Sequence, residues 1–226
     1  MRPAVSVVAA ALLLLPAAAF AQRGRPGGRG ASAGCRIDTT AEWHVKQRAF
    51  LDESKHDWTN DTLRTALLRA SGVATKAPLP LQFGVQISGR DSFPMTLDDP
   101  SAMIARLRAA GRGSVWPTRS VVGAAGTRAV WMLALRDTAF TTMAMHRMME
   151  AGPSESLGAD VATLEDRARL AAGRKQLFGT QFRADDQGRI ALAPMEDSAH
   201  ADLRREGAGL PPFAVSLCLA RRNRSP

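Results

Sequence analysis

The 226 residues carry 30 Lys and Arg against 21 Asp and Glu, a net charge of +9 with a pI near 11.0, which at first suits a nucleic-acid or anionic-membrane partner. The placement of the charge removes that argument, because Arg2, Arg23, Arg25, Arg29, Arg221, Arg222 and Arg224 stand at the two ends and leave 23 basic against 21 acidic residues elsewhere, a balance of +2. Specific nucleic-acid binding is dropped, and at most weak electrostatic contact with a membrane through the basic ends remains.

Met1-Arg2, an apolar run from Ala4 to Phe20 and the small-x-small pattern Ala19-Phe20-Ala21 read as a secretory signal peptide over residues 1–21. Pro16 and the sparse flanking charge argue against a permanent span. Residues 22–34, QRGRPGGRGASAG, form a Gly/Arg-rich linker, and residues 221–226 a basic tail. The expected location is therefore the periplasm or the extracellular space. An oxidising compartment allows Cys35 and Cys218 to pair across nearly the whole body; two free buried thiols, or a bond to a partner, are the alternatives. Neither cysteine has a histidine or a second cysteine beside it to lower its pKa, which argues against a catalytic thiol. The body, residues 35–220, is long enough for one core and too short to demand two domains.

Within the body, Thr39 or Thr40 is expected to cap a first helix running to about Lys55, with Trp43, Val45, Phe50 and Leu51 on it. Asn60 caps a second, where Leu63, Ala66, Leu67 and Ala70 follow helical spacing and Gly72 stands at the stop. From Leu79 to Ile87 apolar residues alternate, with Pro78, Pro80 and Gly84 against a helix, so a strand or long ordered arm is expected. Asp98 or Asp99 before Pro100 opens a helix that Gly111 ends.

Gly123-x-x-Gly126 predicts a turn before an apolar helix beginning near Thr127. Amides at such a start bind anions, but close packing of the turn against a neighbour is the better reading. A helix over about Thr138–Ala151 carries Phe140, Met143, Met145, Met148 and Met149 around much of its circumference, as a helix buried on several sides would. Met145, His146 and Met149 make a partial Cu(I) site geometrically conceivable, yet core filling is the reading adopted. The histidines are scattered and no HxH, HExxH or CxxC spacing occurs, so no metal and no cofactor are assigned.

A further helix reaches Gly173, with Leu157, Val161, Leu164, Ala168, Ala171 and Ala172 in one apolar stripe, Glu165 and Arg167 at its margins and Asp166 facing nearly away. LFGTQF and RIALA read as strands joined by the Asp185-Asp186-Gln187-Gly188 turn. Pro194–Asp197 then cap a helix through Glu206, and Pro211-Pro212 open the last, which delivers Cys218. The fold class expected is mainly α: a single helical domain with a small β-hairpin and one extra extended strand or arm.

Residues 116–219 carry Trp116-Pro117, a Gly-rich turn before Ala129-x-Trp131, Asp166-Arg167, Gln176–Gln181, Glu196-Asp197, Arg204-Arg205 and Gly207–Pro211. In these motifs and their order the chain resembles an uncharacterised bacterial family, a domain of unknown function. Phe178 replaces the family's Tyr, and Arg136 stands where the family's His is expected; were that His catalytic, this member would be impaired. The resemblance implies a mainly helical domain and no established activity.

Two functional readings follow from the ionisable and amide groups gathered at residues 163–182. In the first, the protein is a non-catalytic binding or structural module of the cell envelope, for an envelope ligand or protein, and Glu165, Arg167, Gln176, Thr180 and Gln181 satisfy one another. In the second it is a hydrolase or group-transfer enzyme. Glu165 or Asp166 is then the general base, and Arg167, Gln176, Thr180, Gln181 and Glu196 bind or orient the substrate around the Gly-Thr-Gln turn.

Overall fold

A computed structural model describes residues 35–73, 79–88, 94–111, 116–187 and 189–222. The signal segment, the Gly/Arg-rich linker, Pro78, Gly188 and residues 223–226 of the tail lie outside the described residues. Those described build eight α-helices, two short 3-10 turns and a three-stranded sheet, a mainly α fold.

Local chemistry sets the helix limits. Helix α1, Glu42–Leu51, has no side-chain cap, because Ala41 stands at the N-cap position and offers no acceptor, while Thr40, one residue before it, donates its amide and hydroxyl to Asp38. It stops before Lys55: Asp52 goes extended, accepts the Ser54 amide and starts a separate 3-10 turn at Glu53–Lys55. Both features correct the sequence expectation. Helix α2, Asp61–Ser71, begins where the Asn60 side chain accepts from Leu63 and ends at Gly72 with φ 73°. Helix α3, Pro100–Ala110, starts on Asp99, which accepts from Ser101, while Asp98 pairs with Arg69 at 2.9 Å.

Helix α4 spans Arg119–Arg136, so it begins well before Thr127 and bends at Gly123, where φ is 70° and ψ 174°. A left-handed φ favours glycine, and a Cβ here would lie 2.5 Å from Arg64 Nη1 and 2.7 Å from Glu53 Oε1. Helix α5, Thr138–Ala151, is capped by Asp137. Helix α6, Gly158–Ala171, lies against it, and α7, Ala201–Gly207, and α8, Phe213–Arg222, complete the set. Asp197 does not cap α7. It sits at φ 44° ahead of the 3-10 turn Ser198–His200, and its carboxylate contacts His200 and Arg204 instead.

Burial follows the apolar periodicity of α2 to α6: Leu67, Leu107, Val122, Val130, Leu133, Phe140 and Leu164 share one core. A second cluster joins Phe50, Leu51 and Leu79 to Leu157 and Leu210. Residues 79–85 form an arm rather than a strand. Its Gln82 exchanges backbone bonds with the buried Gln47 side chain at 2.7 and 2.8 Å, and Arg128 holds both Pro80 O and Asp160.

The arm delivers β1, Gln86–Ser88, which runs parallel to β2, Gln181–Ala184, with Ile87 opposite Phe182. Strand β3, Ile190–Leu192, pairs antiparallel on the other side of β2. Only Gln181 onward of the expected LFGTQF strand is extended in the sheet; Leu177–Gly179 belong to a turn. The Cys35–Cys218 disulfide, with Cα atoms 5.8 Å apart, fastens the start of the body to α8. Among the described residues no helix is long and apolar enough to cross a membrane.

Candidate functional site

Four of the residues singled out in the sequence, Asp166, Gln176, Thr180 and Gln181, meet at the turn between α6 and β2, and Asp166 is its centre. Contrary to the helical-wheel expectation, Asp166 does not face away. It is 0 % exposed, because the side of α6 opposite the apolar stripe is covered by the turn itself. Its carboxylate accepts the amides of Leu177 at 2.6 Å, Phe178 at 3.0 Å and Thr180 at 3.0 Å, together with the Thr180 hydroxyl at 2.8 Å. A carboxylate offers about four lone-pair sites. All four are filled from within the chain.

The carbonyls of the same turn are held from the other side. Arg204 Nε donates to Leu177 O at 2.9 Å and Arg205 Nη1 to Phe178 O at 2.6 Å, so two neighbours on α7 secure two neighbours on the turn. Arg205 is fully buried, and burial pushes its guanidinium down to about 10, against the pull of Asp202 and Asp166. It also donates to Pro211 O at 2.7 Å and to the Ser216 hydroxyl. Gly179 closes the turn with φ 67°, where a Cβ would meet the Phe213 ring at 2.8 Å.

Gln176 and Gln181 use their amides as pieces of backbone. Gln176 Nε2 donates to Gln181 O and Ala193 O while its Oε1 accepts the Gln181 amide, which links the turn to both strands of the hairpin. Gln181 Nε2 reaches Thr163 O and Thr180 Oγ1 and ties the turn back to α6. Gln176, Thr180 and Gln181 are all buried. Glu196 is exposed and its carboxylate pairs with Arg169. Arg167 is half-buried and engaged within the protein.

Glu165 stands apart from this cluster. It lines a cleft of about 440 Å³ walled mainly by Met148, Met149, Pro153, Val161 and Phe178, and Arg204 also reaches its surface. The sequence therefore named one charged residue of the cleft, Glu165, and missed Arg204 and the apolar wall. Methionines at the end of α5 carry no mark that separates a cleft wall from a core face. Of the three residues of the conceivable soft-metal site, Met145 is buried whereas His146 and Met149 are exposed. Among the described residues no group of three His, Cys, Asp or Glu side chains gathers as metal ligands would.

Comparison of the chain with family models, with curated proteins and with solved structures found no match. Of the motifs in residues 116–219, three, Asp166-Arg167, Gln176–Gln181 and Arg204-Arg205, meet in one interlocked turn.

Proposed function

We propose that the protein is an exported, non-catalytic binding or structural module of the cell envelope, in which the polar cluster is scaffold and the adjoining cleft is the face offered to a ligand. The observation that carries this reading is the set of four donors on Asp166: a carboxylate enclosed at 0 % exposure and filled by its own turn has no lone pair left to accept a substrate proton. The disulfide and its closure of the body support an oxidising location.

One observation favours the second reading, a hydrolase or group-transfer enzyme: Glu165 faces a cleft and is the one catalytic candidate that a substrate reaches. Melting of two variants separates the roles. Asp166→Asn keeps the shape but replaces one acceptor oxygen by a donor aimed at backbone amides, and should cost on the order of 3 kcal/mol. In a domain of this size that is roughly 10 °C in melting temperature. Glu165→Gln should melt with wild type. An Asp166→Asn protein that keeps its melting temperature and loses a hydrolytic activity would overturn the scaffold reading.

A further inference from the structure

The cleft has a charge asymmetry that specifies its ligand. It is bounded by the end of α5, the loop through Pro153 and Ser156, α6, Phe178 of the turn and α7, and at about 440 Å³ it falls within the size range of small-molecule sites. Among the described residues, two charged side chains reach it. The guanidinium of Arg204 is largely used, by Leu177 O at 2.9 Å, Asp197 O at 2.6 Å, Glu196 O at 3.1 Å and Asp197 Oδ2 at 3.3 Å, which take four of its five N–H donors and set the Asp197 carboxylate against its charge. Glu165 is half-buried, and among the described residues no hydrogen bond or ion pair engages its carboxylate. The uncompensated charge of the cleft is negative, and it sits in an apolar wall.

We infer that the cleft binds a small amphipathic organic cation, with its ammonium group on Glu165 and its apolar body against Met148, Met149, Val161 and Phe178. An ammonium ion restores the hydrogen bonds that a carboxylate loses on leaving water. The Phe178 ring adds a π face for the cation, and the two thioethers adapt to the shape of the apolar body. The inference rests on reading the protein as a binding module, and names the class of molecule it holds.

The test is calorimetric titration of the oxidised full chain with three probes of one shape: 2-phenylethylammonium, 2-phenylethanol and 3-phenylpropanoate. The ammonium probe should bind about tenfold more tightly than the alcohol, the worth of one charge-assisted contact, and the advantage should shrink at high salt. Glu165→Gln should bring the ammonium probe down to the alcohol's affinity and leave the alcohol unchanged. Met149→Lys, at a rim position 54 % exposed, should abolish binding by placing a tethered ammonium in the cleft without touching the core.

Equal affinity for ammonium and alcohol overturns the inference, as does the absence of saturable ammonium binding. Tightest binding of 3-phenylpropanoate also overturns it and assigns the cleft to Arg204. None of these outcomes touches the scaffold role of Asp166, which the melting of Asp166→Asn decides separately. Binding followed by chemical conversion of the amine, read by NMR, would support the ligand class and overturn the non-catalytic reading.

Discussion

Glu53 occupies the position that an external anion would take at the Gly123-x-x-Gly126 turn. Its carboxylate receives both Arg64 terminal nitrogens, at 2.7 and 2.8 Å, and the Ala125 amide at 2.9 Å, and the Arg64 guanidinium lies 4.0 Å from the centre of the Trp58 ring. Anion binding by this helix start is therefore satisfied internally. Removing the carboxylate leaves a nearly buried guanidinium and a helix-start amide without their acceptor, so Glu53→Ala should lose about 3 kcal/mol. Formate at high concentration should restore part of the melting temperature of this variant and leave wild type unchanged, because only the variant has the vacancy. A variant that melts with wild type would show that the pair contributes nothing net.

At the scale of elements, α4 is two helical segments joined at Gly123, and each begins on a carboxylate from elsewhere. Glu155 accepts the Ser120 amide at 2.9 Å at the first start, and Glu53 the Ala125 amide at the second. Burial pushes both carboxyls up, but the Arg64 guanidinium and the Ala125 and Ala124 amides at Glu53, and the Ser120 donors at Glu155, pull further down. Both end below the ordinary 4.5. A carboxyl whose pKa is lowered by folding contributes stability that is complete above its unfolded value and is lost as pH falls through the folded one. The melting temperature should accordingly drop as pH is lowered from about 4.5, and Glu53→Gln should flatten part of that limb. Asp160 has the opposite sign: burial raises its carboxyl against the downward pull of Arg128 and Gln82, so acid relieves a cost there. A wild-type acid limb identical to that of Glu53→Gln would remove the cap from the account.

At the scale of the whole molecule, the Cys35–Cys218 bridge spans 183 positions and joins the start of the body to α8. Closing so long a loop restricts the unfolded chain, and chain-entropy reasoning assigns it about 5 kcal/mol, an upper figure. Reduction, or Cys35→Ser with Cys218→Ser, should lower the melting temperature by roughly 10–20 °C. The sheet and α8 should open first, since Ile87, Phe182 and Ala220 form a small cluster of their own. A reduced protein that melts with the oxidised one would show that the bridge is ornamental to the folded state.

The sequence by itself determined the elements whose signals are local. Asn60 and Gly72 bracket α2, Asp99-Pro100 opens α3, and the α5 pattern runs from Thr138 to Ala151, because caps and periodicity act within one or two turns of the chain. It also singled out the residues that meet at the turn after α6. Only the tertiary structure decided what they do there. Asp166 lies opposite the apolar stripe of α6, a position that reads as solvent-facing until a second layer covers it. That layer is made of backbone amides and of arginines 38 and 39 positions further along, which no pattern within the helix reveals. The same reason explains Glu53 at the Gly123 turn and the long start of α4: long-range polar partners are chosen by packing geometry, and single-chain periodicity carries no record of them.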